Sequence, residues 1–408
     1  MEIDYANQIE RIVDPLIRRG VREAIEKTLL PAATQKAYPG HFNVVADASH
    51  YGGDHTWPGL DSWEMAGAYL LLGKRDLVRG YFDFVRHSQR ADGNIPFAIA
   101  PADEKPDTST YGRGLHWPDD VYEHVGRKWI GLFDHWQKQV NPLTVLAPIC
   151  YILTAAELNE REALESVVAA GRYLLTRIST NGLMSGAGFY IESPPRNQWD
   201  GVTQCYAVHA FRVLARLTRD QEWHEHAEKL ANRFRTMFWR RDHFAEYVHP
   251  ERGVVDSHGL SDVNWAAIAW DVATRDQIEV LWPELMAAKE FWHGGMPTQL
   301  VARPSSYEPW EYPEALPFEH VNGPVYDVAA MGRMWFLEAA ACARMRAWDR
   351  LRESVRLVCA VGEKHEWQWY ERYHAQSDGT VKPAGPRGYC EYAAILVRVV
   401  LGNIDVFT

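Results

Sequence analysis

The sequence predicts an all-α fold: six helical hairpins closed into an (α/α)6 barrel, with the long loops gathered at one end. Three observations predict it. A hairpin pattern repeats, the two helices of each pair differ in the same way, and long segments rich in Gly, Pro and Trp separate the pairs. The composition suits one large folded unit. The chain has 408 residues, 47% hydrophobic and 24% charged, with 43 Lys+Arg against 54 Asp+Glu for a net charge of −11. Such a composition excludes disorder and collagen-like fibres, and a single domain over residues 1–408 is expected. No long Lys/Arg run is present, so nucleic acid is not an expected partner, because neutralising phosphates needs clustered positive charge. Acidic polymers are equally poor candidate substrates.

The hairpins follow one another along the chain as AGAYLLLGKRDLVRGYFDFV, ICYILTAAELNEREALESVV, HAFRVLARLTRDQEWHEHAEKL, WAAIAWDVATRDQIEVLWPEL and EAAACARMRAWDRLRESVRL. Their charged turns fall at 74–76, 159–162, 218–221, 274–277 and 346–349. In each pair the first helix is apolar almost all round, as in 207–217 or 265–272, which implies burial on more than one side. The second places apolar residues at three- and four-residue spacing, as an outer helix should. A sixth pair is expected from a last helix at 389–401 closing against an N-terminal helix at about 5–29. An open solenoid or an irregular bundle is the alternative. Closure is favoured because the inner helices are too apolar to line an open concave face.

The segments between pairs, at 43–60, 92–120, 181–200, 249–260, 293–324 and 364–388, all lead into the N-terminal ends of inner helices. They are therefore expected to meet at one end of the ring, where long ordered loops on a rigid scaffold usually carry chemistry. The chain has 17 tryptophans. Trp265, Trp270, Trp282 and Trp348 fit helix packing, whereas Trp57, Trp63, Trp117, Trp199, Trp310, Trp367 and Trp369 fall in or beside these loops.

The N-terminal residues MEIDYANQIERIVDP carry charges where a signal peptide needs an apolar core, and no stretch approaches the roughly 20 apolar residues of a membrane span. A cytoplasmic protein without membrane contact is expected. Cys150, Cys205, Cys342, Cys359 and Cys390 lie singly in apolar helical stretches and read as reduced packing residues. Only Cys390, beside Glu391, comes near a candidate site. Neither HEXXH nor CXXC occurs, and His224 and His226 flank Glu225 on an amphipathic outer helix, so no metal or other cofactor is expected. Nucleotide-binding GxGxxG and GxxxxGK patterns and the GxSxG of serine hydrolases are missing too.

The residues suited to chemistry are carboxylates. Asp61 and Glu64 straddle the start of the first inner helix beside Trp57 and Trp63; their spacing suits a capping box as well as binding of sugar hydroxyls. Glu192, Arg196, Trp199 and Asp200 precede the third inner helix. Asp200 is a natural N-cap, yet a carboxylate beside Trp199 in a Pro-rich, partly desolvated loop is also placed to have the raised pKa a general acid requires. Glu192 is the rival acid. Glu371 stands in the last loop between Tyr370 and Arg372, with Trp367 and Trp369 nearby and no helix start to cap. Two carboxylates on separate loops across an aromatic-lined pit are what glycoside hydrolysis needs.

Over about residues 50–401 the chain resembles the (α/α)6-barrel glycosidases, in particular the processing α-glucosidase and mannosylglycerate or glucosylglycerate hydrolase family, and more distantly the glucoamylases. The segment from Trp57 to Glu64 followed by YFDFVRHSQRADGNIP is similar to that family's aromatic-Asp-Ser-Trp helix start and its later Ile-Pro segment. Asn181-Gly182-Leu183 is similar to the Asn-Gly-Leu preceding the acid loop. The acid loop itself departs, since Glu192-Ser193 is followed by PPRNQWDG where the family has Glu-Ser-Gly-any-Asp-Asn-Ser. Trp199-Asp200 instead resembles the Trp-acid pair of glucoamylases, with Asp in place of Glu, and YERYHAQSDGTVKPAGPRGYCEYAAIL is similar to the glucoamylase base loop. The resemblance implies an inverting hydrolase with Asp200 as acid, Glu192 in reserve and Glu371 as base. It further implies that Asp61, Glu64, Trp57, Trp63, Trp199 and Trp369, with Arg196, His116 and Trp117 from the neighbouring loops, contact a small carbohydrate, the terminal sugar of a small glycoside.

Two other readings stay open. A sugar isomerase or 2-epimerase would use loop histidines, His116, His258, His320 and His374, as acid and base. A non-catalytic carbohydrate-binding barrel would follow from the broken register around Asp200. The sequence leaves the sugar, its linkage and the oligomeric state open.

Overall fold

The computed structural model describes residues 5–50, 52–59, 61–103, 121–133, 145–186, 199–302, 308–311 and 329–408. Their main helices alternate between two roles. Those that form the inner ring are α2 (Ser62–Leu71), α4 (Leu146–Glu157), α6 (Gly201–Thr218), α8 (Asp262–Ala269), α10 (Gly332–Met345) and α12 (Cys390–Gly402). The outer helices are α1 (Pro15–Ala24), α3 (Arg75–His87), α5 (Leu164–Thr176), α7 (Gln221–Phe238), α9 (Arg275–Ala287) and α11 (Trp348–Lys364). Helix α2 packs on α4, α4 on α6, α6 on α8, α8 on α10 and α10 on α12, and α12 returns to α2. The contacts thus run around a closed circuit. Each outer helix lies on its own hairpin partner, and α1 lies on α11 and α12.

The two roles follow from the side chains. In α4 every residue from Leu146 to Ala155 is buried, so the helix has neighbours on all sides. Helix α7 buries Trp223, Ala227, Leu230, Ala231, Phe234 and Phe238, one stripe at three- and four-residue spacing, and leaves its charged face to solvent. The expected turns are largely the N-caps of outer helices. Thr274 and Gln277 close a capping box on α9, Asp220 accepts from the Glu222 amide at 3.0 Å, and buried Glu160 accepts from the amides of Glu162 and Ala163 at 2.6 and 3.0 Å.

The turn end of the ring also collects the carbonyl ends of the inner helices, which lack partners within the helix. Arginines from the preceding hairpin supply them. Arg75 donates to the Leu158 carbonyl, Arg161 to Leu217 at 2.7 Å, and Arg212 to Trp270 and Asp271 at 3.1 and 2.7 Å. This places guanidinium groups where the helix dipole favours positive charge.

Two expectations are corrected. The N-terminal helix expected at 5–29 is broken into Tyr5–Glu10 and α1, because Pro15 at the first helical position lacks an N–H and Asp14 caps the new start with a 2.9 Å bond from Leu16. Nor is the fold purely helical. Three antiparallel three-stranded sheets form in the long segments: β1 (Ala98–Pro101), β2 (Val121–His124) and β3 (Arg127–Leu132) in the order β1-β3-β2; β4 (Trp199–Asp200), β5 (Tyr247–His249) and β6 (Gly253–Val255); and β7 (Ala329–Ala330), β8 (Tyr370–Ala375) and β9 (Val381–Arg387). Strand β4 runs straight into α6, β7 lies just before α10 and β9 just before α12. The sheets fix the entry to the inner helices.

One buried ion pair ties an inner helix to its outer partner. Glu338 of α10 accepts from Arg350 Nε of α11 at 2.7 Å, from Trp292 Nε1 at 2.9 Å and from the Thr298 hydroxyl. Removing one partner of a buried pair leaves an uncompensated charge, typically costing about 3–5 kcal/mol. Glu338→Ala is therefore expected to lower unfolding free energy by about that amount, measured as a shift of the urea midpoint.

Candidate active site

The N-terminal ends of α2, α10 and α12 bring together three carboxyl groups around one guanidinium. Arg333, in the first turn of α10, donates through Nη2 to Asp61 Oδ1 at 3.1 Å and through Nε to Glu391 Oε1 at 2.6 Å; its backbone N–H adds a third bond, to Glu391 Oε1 at 2.8 Å. The Tyr389 hydroxyl donates to the other oxygen of Asp61. Asp61, Glu64 and Glu391 are fully buried and Arg333 nearly so. A single positive charge cannot compensate three buried negative ones. Burial is the main cause that raises the Glu64 pKa, and the nearby Asp61 and Glu391 add to it, with Arg333 only partly offsetting them. Glu391 is also raised, by burial first, against the pull of Arg333. Arg333 stays charged, since Glu391 and Asp61 outweigh its own desolvation.

Glu371 approaches this cluster from β8. The Tyr389 hydroxyl that serves Asp61 is also within electrostatic reach of Glu371. The pairing of Tyr370 with Arg387 and of Arg372 with Ala384 leaves Gly385 and Pro386 opposite Glu371, an irregularity that re-aims the side chain. Gly385 has φ +78, and a Cβ there would lie 2.3 Å from Glu371 Oε2. Only glycine both adopts that backbone and leaves the carboxylate its place. Arg372 Nη2 lies 3.4 Å from Glu371 Oε2, the ion pair its neighbour in sequence suggests.

Asp200 is the N-cap of α6: its Oδ2 accepts from the Thr203 amide at 2.7 Å and the Thr203 hydroxyl at 2.9 Å. Strand pairing sets it opposite Tyr247, and the Gly201 amide donates to the Glu246 carbonyl at 3.0 Å. Beside it runs a buried polar chain. His258 contacts Glu246 Oε2 through Nδ1 at 2.5 Å and Glu311 Oε2 through Nε2 at 3.5 Å, while the Tyr247 hydroxyl donates to Glu311 Oε1 at 2.5 Å. Burial alone would lower the His258 pKa, but hydrogen bonds and charge from Glu246 and Glu311 override it and push it up to about 10.

Other sequence-predicted residues are distributed differently. Trp57 is buried against Phe97 and His55, and Trp199 is half-buried with its indole N–H on the Ser179 hydroxyl at 3.0 Å. Trp63 and Trp369 are corrected to packing residues. Trp63 packs edge-on against Tyr206 and Phe336 and donates at 2.9 Å to Glu157, the last residue of α4. Trp369 is fully buried with its N–H on the Val358 carbonyl at 3.0 Å and its ring filling the space over Gly362. Asp61 makes no side-chain cap on α2; Arg333 and Tyr389 take its oxygens instead. Burial raises the Cys390 thiol well above its ordinary range, which disfavours the thiolate that a nucleophile needs. Glu192, Arg196, His116, Trp117 and His320 lie outside the described residues.

Arg333, Tyr389, Glu391, Glu246 and Glu311 were not singled out from sequence. For Arg333 and Glu391 a signal existed: each is a charged residue in the first turn of a mostly apolar inner helix. Such a helix start has no solvent face to give it.

No family model matches the sequence, and no curated protein matches it significantly. The fold is similar to known ones. A family 78 rhamnosidase of Bacillus sp. GL1 superposes with a TM-score of 0.60 at 14% identity over 96% of this chain, and a rhamnosidase from Klebsiella oxytoca with rhamnose bound with 0.56 at 13% over 95%. The chain spans 35% of the length of the first and 64% of the second. A family 63 mannosylglycerate hydrolase from Thermus thermophilus, in complex with glucose, matches with a TM-score of 0.56 and 13% identity, covering 94% of this chain and 99% of that one. These neighbours are (α/α)6-barrel glycosidases, and at this identity the likeness is one of fold.

Because the folded-state pKa of His258 is raised above its ordinary 6.5, its contribution to stability is complete below about pH 6.5 and is lost as pH rises through about 10. The stability gap between the wild type and His258→Gln should therefore shrink across a denaturation series at pH 6, 8 and 10, and be largest, about 3 kcal/mol, at pH 6.

Proposed function

We propose that residues 1–408 form one (α/α)6-barrel domain and that it is an inverting glycoside hydrolase releasing a terminal sugar, α-glucosyl or α-mannosyl, from a small glycoside or oligosaccharide. The observation that carries this reading is the set of carboxyl groups held at one end of the ring by separate elements: Asp61, Glu64 and Glu391 around Arg333, Glu371 on its sheet, and Asp200 at the start of α6. The glycosidase folds it resembles make that end the natural place for sugar chemistry.

In the proposed reaction Asp200 gives its proton to the glycosidic oxygen as the bond from that oxygen to the anomeric carbon breaks. Glu371 takes a proton from the water that attacks the opposite face, so the configuration inverts. Inversion needs the two carboxyls roughly 6.5–9.5 Å apart, leaving room for that water. Glu192 is the second candidate for the acid. Asp61, anchored through Arg333, and Glu64 are assigned to sugar hydroxyls, and Trp57, Trp199, Arg196, His116 and Trp117 are assigned to substrate binding. The five cysteines are buried and form no disulfide, which supports action in a reducing compartment, the cytoplasm. Among the described residues no helix is long and apolar enough to cross a membrane.

The isomerase reading is weaker because both ring nitrogens of His258 are engaged by carboxylates, which ties up one of its candidate histidines as a cation. The test is incubation with α- and β-linked glucosides, mannosides and glycosylglycerates, following anomeric protons by NMR. A first product of inverted configuration is expected, and one that retains the substrate's configuration would sink the mechanism. Asp200→Asn and Glu371→Gln should each lower kcat by about 10²–10⁴, the usual worth of a general acid or base, whereas His258→Gln and His374→Ala should not approach that loss.

A further inference from the structure

At the opposite end of the ring from these carboxylates lies a cavity of about 640 Å³. That is within the roughly 300–1,000 Å³ of small-molecule sites. Its wall is made by the C-terminal halves of α2, α10 and α12, where Gly67, Ala339, Ala340 and Ala343 leave room that larger side chains fill elsewhere in the ring. The aromatic contacts of Trp63 with Tyr206, Trp270 and Phe336 separate it from the cluster around Arg333. It is a different site from the proposed active centre.

The polar part of the wall is the ion pair of Arg398 with Glu157, with Arg75 and Asn403 beside it. Arg398 lies over the rings of Trp63 and Phe336, 4.8 and 5.1 Å from their centroids, and donates to Glu157 Oε1 at 2.6 Å and to the Trp63 carbonyl at 3.0 Å. Glu157 Oε1 accepts from the Trp63 indole as well, at 2.9 Å. The other oxygen, Oε2, has no donor among the described residues. It faces Gly67, where a Cβ would come within 2.7 Å of it. An acceptor thus looks into a mainly apolar space, with the Arg398 guanidinium beside it at Gly67.

The charges around that space decide what fits. Arg398 is paired with Glu157 and also donates to the Trp63 carbonyl, while Arg75 at the rim keeps its charge and donates to the Leu158 carbonyl. An anionic ligand would face the Glu157 carboxylate and the carbonyl ends of the inner helices, which carry partial negative charge. A cationic one would face two guanidinium groups. We propose that the cavity is a second binding site, for an uncharged molecule with an apolar body and one hydroxyl that donates to Glu157 Oε2. The small residues accept the body and the carboxylate fixes its orientation.

Benzyl alcohol serves as the probe, titrated against the whole protein by calorimetry and by saturation-transfer NMR. Benzyl methyl ether, which lacks the O–H, benzoate and benzylamine in its ammonium form are each expected to bind at least tenfold more weakly. Ala340→Phe and Ala343→Phe each fill the cavity from a half-buried position, and either should abolish benzyl alcohol binding while thermal melts show a folded protein. Since the proposed hydrolase site is at the other end, its activity should persist in both variants. Unchanged benzyl alcohol binding in both folded variants would overturn the proposal, as would benzoate, benzylamine or the ether binding as tightly as the alcohol.

Discussion

One guanidinium holds the seam at which the ring closes. Arg333 joins Asp61, 272 residues before it, to Glu391, 58 residues after it, and so fastens the start of α2 to the starts of α10 and α12. Ring closure brings the last inner helix against the first, a contact whose loop-closure entropy is among the largest in the chain. The charged groups are buried there because three inner helices begin at one point. Their mutual attraction offsets the desolvation only while all remain in place. A position that determines both closure and the placement of carboxylates couples the fold to the chemistry more tightly than a loop-borne site would.

The two ends of the ring then acquire opposite electrical character for the same backbone reason. Inner helices present N–H groups at one end and carbonyls at the other. Asp61, Glu64, Asp200, Asp262 and Glu391 all stand at or in the first turn of an inner helix, while Arg75, Arg161 and Arg212 answer carbonyls at the far end. Sequence repeats of charged turns are thus not only solvated linkers. The first two contribute a cation, Arg75 and Arg161, to the next hairpin's inner helix, and Arg212 of α6 does the same for α8, which is a reason for these hairpins to stack in one order around the ring.

The architecture was largely legible in the sequence because it rests on local patterns. Periodicity separated inner from outer helices, and the turns at Thr274 and Asp220 read correctly because capping involves residues only two or three apart. What failed depended on distance. Asp61 looks like an N-cap locally, yet its partners lie at positions 333 and 389, which no local rule reaches. The sheets escaped because strands of two to seven residues within Gly- and Pro-rich segments lack a full alternating run. The packing of Trp63 against Tyr206, Phe336 and Glu157 escaped because a residue's place in the first turn does not say which tertiary neighbours it meets. Glu371 stood out in the sequence because it lacked a helix to cap, whereas the glycine bulge that aims it did not.

The tryptophans and the carboxylates now divide differently from what the loops alone suggested. Trp63, Trp367 and Trp369 are buried against other side chains, so the aromatic content of the chain speaks more to building a wide ring than to lining its mouth. The acids carry the functional argument instead. The N-terminal ends of helices favour negative charge, typically by less than 1–2 kcal/mol, yet burial still raises the pKa of Glu64 and Glu391. Desolvation therefore wins over the dipole at this end of the ring. Its consequence is a cluster in which Glu64 and Glu391 hold a proton more readily than ordinary carboxyls, and environments that move carboxyl pKa values from their ordinary range are what acid and base roles rest on.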